Sequence, residues 1–106
     1  MSSTLTIATG TLDISDSNWA VSVGGSFTNT GVFNARAGTL SMSAQSGSPT
    51  LTPGNTLSHL TINATGTTIT LGSALTASGT LTFTTGTLDT SSGNNYGVTI
   101  GKDWTN

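Results

Sequence analysis

The chain contains nearly the same sequence twice. TLTIATGTLD begins at Thr4, and TLTFTTGTLD begins at Thr80. A shift of 76 residues, which carries Leu5 to Leu81, makes ten of the fifteen positions in residues 4–18 identical. With Asn95 treated as an insertion, the match resumes at a shift of 77, so residues 4–29 are equivalent to residues 80–106. The 106 residues therefore predict a single domain, 1–106, with one repeat of about 76 residues and the first third of the next, as in arrays and solenoids.

A finer period lies inside the repeat, where apolar residues recur in pairs separated by one polar residue. The steps between successive pairs are 16, 19, 20, 21 and 17 residues. Alternation of this kind is typical of a short strand with one buried face. Gly, Asn, Ser and Pro lie between most of the pairs and favour turns. No stretch shows a 3.6-residue period, and Thr, Ser and Gly are poor helix formers, so the sequence predicts no helix.

One coil of the chain can be followed from residue 60 onward. Residues 60–62, 69–71 and 75–77 are expected to be strands, with turns at 63–67 and 72–73, before the chain returns to Leu81. Three short strands in each coil, stacked on the next coil, make an all-β, three-sided β-solenoid. We expect a right-handed parallel β-helix of about five rungs, each of roughly 20 residues.

The same alternation predicts which side chains point inward. If every apolar pair occupies the same face, its first members form one inward column and its second members form a neighbouring column. The first column is Leu5, Val21, Leu40, Leu60, Leu81 and Val98. The second column is Ile7, Val23, Met42, Ile62, Phe83 and Ile100. Between them lies an outward column of hydroxyl residues, namely Thr6, Ser22, Ser41, Thr61, Thr82 and Thr99.

The composition excludes several partners. Only 6% of the residues are charged, and the two basic residues, Arg36 and Lys102, cannot neutralise a phosphate track, which argues against nucleic acid. No apolar run approaches the roughly 20 residues of a membrane helix, so we expect no membrane insertion. The chain has no Cys and hence no thiolate metal site.

The acids and the single His do not form a catalytic pattern. Asp13 and Asp89 are repeat equivalents, expected about 19 Å apart at four rungs' separation, which is too far for the paired carboxylates of sugar chemistry. Asp13 and Asp16 are interpreted as solvated turn acids, and His59 as an outward surface residue. The sequence therefore predicts no catalytic residue, no metal site, no cofactor and no enzyme activity.

Two binding functions remain open as alternatives. Trp19 and Tyr96, which are repeat equivalents beside Asn-rich turns, can be read as aromatics that stack on a glycan, whereas the pair Phe27 and Trp104 favours structural packing. Thr-x-Thr arrays on flat solenoids also bind ice, and such pairs occur at residues 4/6, 68/70 and 80/82. Ala20/Ser22 and His59/Thr61 are expected to interrupt that array.

The ends of the predicted solenoid suggest its partner. A parallel β-helix exposes a strand edge at each end, and natural solenoids normally carry polar caps there. MSS at the start and WTN at the end offer no such cap. Two arrangements would cover these ends: the chain is a segment of a longer tandem array, or its partner is another copy of the chain, joined head to tail through the open ends. The sequence leaves both open.

The repeat as a whole resembles a known class. GTLTFTTGTLDTSSGNN followed by VTIGKDWTN, with LTPGNTLSHLTINATGTTITLGSALTASGTL before it, is similar to the tandem repeats of very large bacterial adhesin-like surface proteins. These are β-solenoids of the filamentous-haemagglutinin and autotransporter-passenger kind. The resemblance covers essentially the whole chain and implies an extracellular location and a structural role as a stalk or fibre. It carries over no catalytic or ligand-binding residue.

Overall fold

The computed structural model describes residues 4–14, 16–91 and 93–106, and this part of the chain contains twelve strands and no helix. The strands are β1 (Leu5–Ile7), β2 (Thr11–Asp13), β3 (Val21–Val23), β4 (Phe27–Asn29), β5 (Val32–Asn34), β6 (Thr39–Met42), β7 (Thr50–Thr52), β8 (His59–Leu71), β9 (Leu75–Ala77), β10 (Leu81–Asp89), β11 (Val98–Ile100) and β12 (Trp104–Thr105). The strand pairs they form are parallel.

The strands stack into three faces. Face A contains β3, β6, the start of β8, the start of β10, and β12. Face B contains β1, β4, β7 and the ends of β8 and β10. Face C contains β2 paired with β5, β9 paired with β11, and Leu57 bridged to Ala77. The chain visits B, C and A in turn for about five turns, which confirms the predicted three-sided parallel β-solenoid. Its right-handed winding stays a prediction.

The coil from residue 60 onward follows the predicted path with one difference. Residues 60–62, 69–71 and 75–77 are strands, but residues 63–67 do not interrupt the strand, because β8 runs from His59 to Leu71. Gly66 and Gly86 bend β8 and β10 with φ values of 70° and 103°, and the register between the two strands shifts at this corner. The predicted turn is therefore a paired corner, since the neighbouring rung bends in the same way.

The inward side chains form one continuous core. Those buried completely include Val23, Phe27, Met42, Leu51, Leu60, Ile62, Ile69, Leu75, Ala77 and Leu81, each at 0% exposure. Burial of one such large apolar side chain stabilises the folded chain by roughly 1.5–3 kcal/mol. Because each residue packs on its equivalents one rung away, stability is nearly a sum over adjacent rungs.

Face A contains the middle of each predicted inward column. Val21, Leu40, Leu60 and Leu81 pair in consecutive rungs, as do Val23, Met42, Ile62 and Phe83. The ends of both columns were predicted wrongly. Leu5 and Ile7 pair with Phe27 and Asn29 on face B. Val98 and Ile100 pair with Leu75 and Ala77 on face C.

The error has a geometric cause, because the repeat does not span a whole number of turns. Each turn of the solenoid passes through three faces. Between β1 on face B and the start of β10 on face A the chain advances by eleven faces, which is one face short of four complete turns. The strands of the first copy, residues 4–29, lie on faces B, C, A and B in turn. The strands of the second copy, residues 80–106, lie on faces A, B, C and A. Equivalent residues therefore share a local path but lie on different faces.

The two copies of the repeated sequence share hydrogen bonds as well as path. The Leu5 N–H donates to the Ser26 carbonyl at 2.9 Å, and the Leu81 N–H donates to the Asp103 carbonyl at 3.0 Å. In each copy a left-handed Asn precedes the aromatic residue, Asn18 at φ 57° and Asn95 at φ 52°. Asn95 therefore occupies the place of Asn18, and its assignment as the inserted residue is wrong. The extra residue lies earlier in the same turn.

Candidate functional site

Four of the six residues predicted to form the outward hydroxyl column lie together on face A. Ser22, Ser41, Thr61 and Thr82 pair in register, and Thr105 continues the column. The other two members were assigned to the wrong face, for the same reason as the core residues. Thr6 pairs with Thr28 on face B, and Thr99 pairs with Thr76 on face C.

Face B carries a second hydroxyl array that the sequence reading missed. Thr6, Thr28 and Thr52 are in register, and beside them the Thr50 N–H donates to Ser26 Oγ at 2.9 Å. Thr70 pairs with Thr50 and extends the second row. The sequence carries this signal as Thr-x-Thr at residues 4/6, 50/52 and 68/70, but the local pattern alone does not separate residues 4/6 from the face of Ala20 and His59. The structure places those two interruptions on face A.

The two aromatics proposed to stack on a glycan do not form one platform. Trp19 is 67% exposed and lies just before β3, in the first turn of the solenoid. Tyr96 is half-buried against the core and lies just before β11, in the last turn. One repeat separates the two aromatics, which is eleven faces or about 18 Å along the solenoid. Within the other pair, Phe27 is fully buried as expected, whereas Trp104 is 55% exposed.

Asp13 and Asp16 are not merely solvated, because both contact Arg36. The Arg36 guanidinium donates to both oxygens of Asp13 and to Oδ1 of Asp16 at 2.6 Å. The hydrogen bond to Asp13 raises the pKa of Arg36 further above its ordinary high value, so the guanidinium stays charged. The cluster ties β2 and its following turn to the segment after β5. Its oxygens are engaged in structural contacts rather than aimed at an open site.

His59 also makes contacts with the neighbouring rung of the solenoid. Its Nδ1 accepts the backbone N–H of Thr80 at 3.2 Å and lies 3.0 Å from Thr80 Oγ1. A Cβ added to Gly79 would overlap the imidazole ring, so the ring is packed closely against the next rung. The half-buried His59 therefore joins two rungs of face A, and it is less exposed than a free surface residue.

A shallow open groove of about 500 Å³ lies at the corner between faces B and C. Its lining residues are small and uncharged, namely Gly54, Asn55, Thr56, Ser73, Ala74 and Thr76. No titratable group lines this groove, so its residues supply neither an acid nor a base. Over the described parts of the chain there is no group of three or more His, Cys, Asp or Glu residues that could hold a metal ion. Residues 4–14, 16–91 and 93–106 also contain no helix long and apolar enough to cross a membrane.

An asparagine pair closes the same corner from inside. Asn29, which is 2% exposed, donates through Nδ2 to the Pro53 carbonyl at 2.8 Å and to Asn55 Oδ1 at 2.9 Å. Asn55 Oδ1 also accepts the Phe33 N–H at 2.7 Å. These bonds satisfy backbone groups where the strands turn, which identifies Asn29 as a structural residue.

We predict that Asn29→Ala lowers the free energy of unfolding by about 1–3 kcal/mol, because it leaves buried polar groups without a partner. Asn34→Ala is the matched control. Its side chain is exposed and makes a single long hydrogen bond to Asp13, at 3.4 Å, so a change within about 0.5 kcal/mol is expected. Urea unfolding followed by circular dichroism measures both. Equal decreases in the free energy of unfolding for the two variants would show that the hydrogen bonds of Asn29 do not stabilise the fold.

The last turn of the solenoid presents an uncovered edge. It consists of the end of β10, β11 and β12, and in the described chain no strand pairs with their outer sides. Trp104 stacks on Phe83 at a ring-centroid distance of 5.9 Å and exposes its other side. Leu88, Val98 and Ile100 are only partly buried there. This edge, called the open edge below, combines unpaired backbone groups with apolar side chains.

Comparison with protein-family models, with curated proteins and with solved structures found no match to the chain.

Proposed function

We propose that this chain is a structural β-solenoid segment of an extracellular stalk or fibre at a bacterial cell surface, and that such segments join head to tail through their ends. The observation that carries the proposal is the parallel stack of about five turns, in which residues 80–106 repeat the local path of residues 4–29. The resemblance to adhesin-like repeats supports the extracellular location and the bacterial source.

The chemistry of the surface favours joining at the ends over joining at the sides. The sides of the solenoid present Ser and Thr hydroxyls that water can satisfy. The ends present parallel strand edges, whose unpaired N–H and C=O groups invite another strand. A contact between unlike ends of two copies produces an open filament when the rotation does not close a ring. Head-to-tail growth is therefore the assembly that this surface supports.

We expect Trp104→Lys to prevent this association. The substituted side chain would place a charge where the next turn has to pack, while in the single chain its ammonium group reaches water. Light scattering over a range of protein concentrations should show the mass of the unchanged chain rising with concentration. Trp104→Lys should move that rise to a concentration at least about tenfold higher, which corresponds to about 1.4 kcal/mol.

The matched control is Thr61→Lys, which adds the same charge on the side of face A. It should associate like the unchanged chain, because Thr61 lies two rungs away from the open edge. A single-chain mass for the unchanged protein at every concentration would contradict head-to-tail association.

Ice binding is a second candidate, favoured by the hydroxyl array on face B. Rows of hydroxyls about 4.8 Å apart along the solenoid axis form a regular surface, which carries no charge before Asp89 in the last turn. If face B binds ice, the chain should show thermal hysteresis that Thr28→Lys abolishes and Thr61→Lys on face A leaves unchanged. An absence of both hysteresis and ice shaping in the unchanged chain would remove this candidate.

A further inference from the structure

The third corner between faces A and B contains a surface motif that the proposed function does not use. The sequence LTINATGT of residues 60–67 repeats LTIATGT of residues 5–11 with one residue added, and the added residue is Asn63. LTFTTGT of residues 81–87 has no such residue either. The addition creates Asn63-Ala64-Thr65, which fits the Asn-x-Ser/Thr acceptor pattern of N-glycosylation. No other Asn of the chain has Ser or Thr two positions later.

The structure directs both functional side chains of this motif outward. The motif lies in β8, where the chain passes from face A to face B. Ala64 is 0% exposed and points into the core. Because side chains alternate along a strand, Asn63 and Thr65 point the other way, and both are exposed. The acceptor amide and the hydroxyl that completes the pattern therefore lie on the same outer surface.

The corner that carries the motif faces open space. Between the positions that pair with Thr85 and Thr87, β8 has the four residues 64–67, whereas β10 has only Gly86. The corner of β8 is therefore longer than the corner of the next rung. A Cβ added to Gly66 would meet nothing within 4 Å. A bulky group attached at this corner has room to extend into water.

The hydrogen bonds of Asn63 leave its side-chain nitrogen available. The Thr85 hydroxyl donates to Asn63 Oδ1 at 3.1 Å, and Thr85 Oγ1 lies 3.0 Å from Thr65 Oγ1. Since the single hydroxyl proton of Thr85 is used by Asn63, Thr65 donates to Thr85. Within residues 4–14, 16–91 and 93–106, Asn63 Nδ2 has no hydrogen-bond partner. The atom that carries an N-linked glycan is thus the atom left to the solvent.

We infer that Asn63 is an acceptor for N-linked glycosylation. In the transfer, Asn63 Nδ2 forms a bond to the anomeric carbon of a sugar phosphate ester. The bond between that carbon and the phosphate oxygen breaks, the phosphate leaves with the bonding electron pair, and Nδ2 gives up one proton to a base of the transferase. The inference rests on the proposed extracellular role, because N-linked glycans are typical of the surfaces of secreted proteins.

The position of Asn63 along the solenoid separates this modification from assembly. β8 pairs with β6 and β7 on one side and with β10 on the other, so the glycan would project from the side of the stack. It would add a bulky, hydrated group to a surface of hydroxyls and would leave the ends uncovered. Glycosylation and head-to-tail joining can therefore be measured independently.

The test uses the folded full chain, a purified transferase that modifies Asn-x-Ser/Thr, and UDP-glucose as the donor. A peptide of residues 61–67, TINATGT, first shows that the transferase accepts the motif itself. Intact mass spectrometry counts the hexoses added to the folded chain, and peptide mapping locates them. We expect one hexose at Asn63. Asn63→Gln and Thr65→Ala should abolish its addition, whereas Thr65→Ser, which keeps the hydroxyl, should retain it.

Circular dichroism checks that each variant is folded. If the peptide gains a hexose and the folded chain gains none at Asn63, the inference is overturned. Equal incorporation into Thr65→Ala and the unchanged chain would also overturn it, because the motif would not be what directs the transfer. The proposed function is tested separately by light scattering, so it can stand or fail whatever the mass spectra show.

Discussion

Leu60→Lys is expected to unfold the chain, whereas Thr61→Lys, one residue later, is expected to leave it folded. Leu60 is 0% exposed and packs between Leu40 and Leu81 in the neighbouring rungs. Loss of the leucine packing costs about 2–5 kcal/mol, and an unpaired charge in the core costs several kcal/mol more. The sum is comparable to the whole stability of a domain, about 5–15 kcal/mol.

Thr61 is the matched control because its side chain points out of the wall. A lysine there carries its charge to water along a flexible stem, so a change within about 0.5 kcal/mol is expected. Far-ultraviolet circular dichroism and urea unfolding of the two variants provide the comparison. Loss of the β signal in both variants, or in neither, would show that the alternation of inward and outward residues on face A is misassigned.

Gly54→Ala is expected to lower the free energy of unfolding by about 2–5 kcal/mol. Gly54 has a φ of 71°, a left-handed conformation that costs a residue with a Cβ about 1–2 kcal/mol. A Cβ at this position would also overlap the backbone carbonyl oxygen of Asn29, and such overpacking costs typically about 1–3 kcal/mol. The backbone oxygen cannot move aside without disturbing the corner that Asn29 and Asn55 close.

Gly47→Ala separates the two costs. Gly47 has a similar φ of 78°, but a Cβ there would meet nothing within 4 Å. Only the conformational cost of about 1–2 kcal/mol is expected. Thermal and urea unfolding of the two variants measure the difference. Equal destabilisation by both substitutions would mean that Gly54 and Asn29 are not in close contact.

The local pattern of the sequence predicts the wall of the solenoid well, because the inward-outward alternation of a strand depends only on adjacent residues. Leu60, Ile62 and Val23 are buried for that reason. The face that each strand occupies was less predictable. It depends on how many residues every preceding corner uses, and the corners differ. Two residues separate β4 from β5, whereas seven separate β2 from β3.

The same dependence explains the contacts that the sequence reading missed. Arg36 reaches Asp13 across 23 residues, a pairing that appears only when β5 is known to lie on β2. The hydroxyl array on face B required the same information. Trp104 differs from its equivalent Phe27 for another reason. The two positions have the same local pattern, but in the described chain only Phe27 has a further rung beside it, through Leu51.

Cryo-electron microscopy of the concentrated, unchanged chain tests head-to-tail assembly most directly. Filaments with continuous rungs about 4.8 Å apart, in which chains follow one another end to end, are the expected result. Single particles one chain long at every concentration would contradict the assembly of separate copies into a fibre.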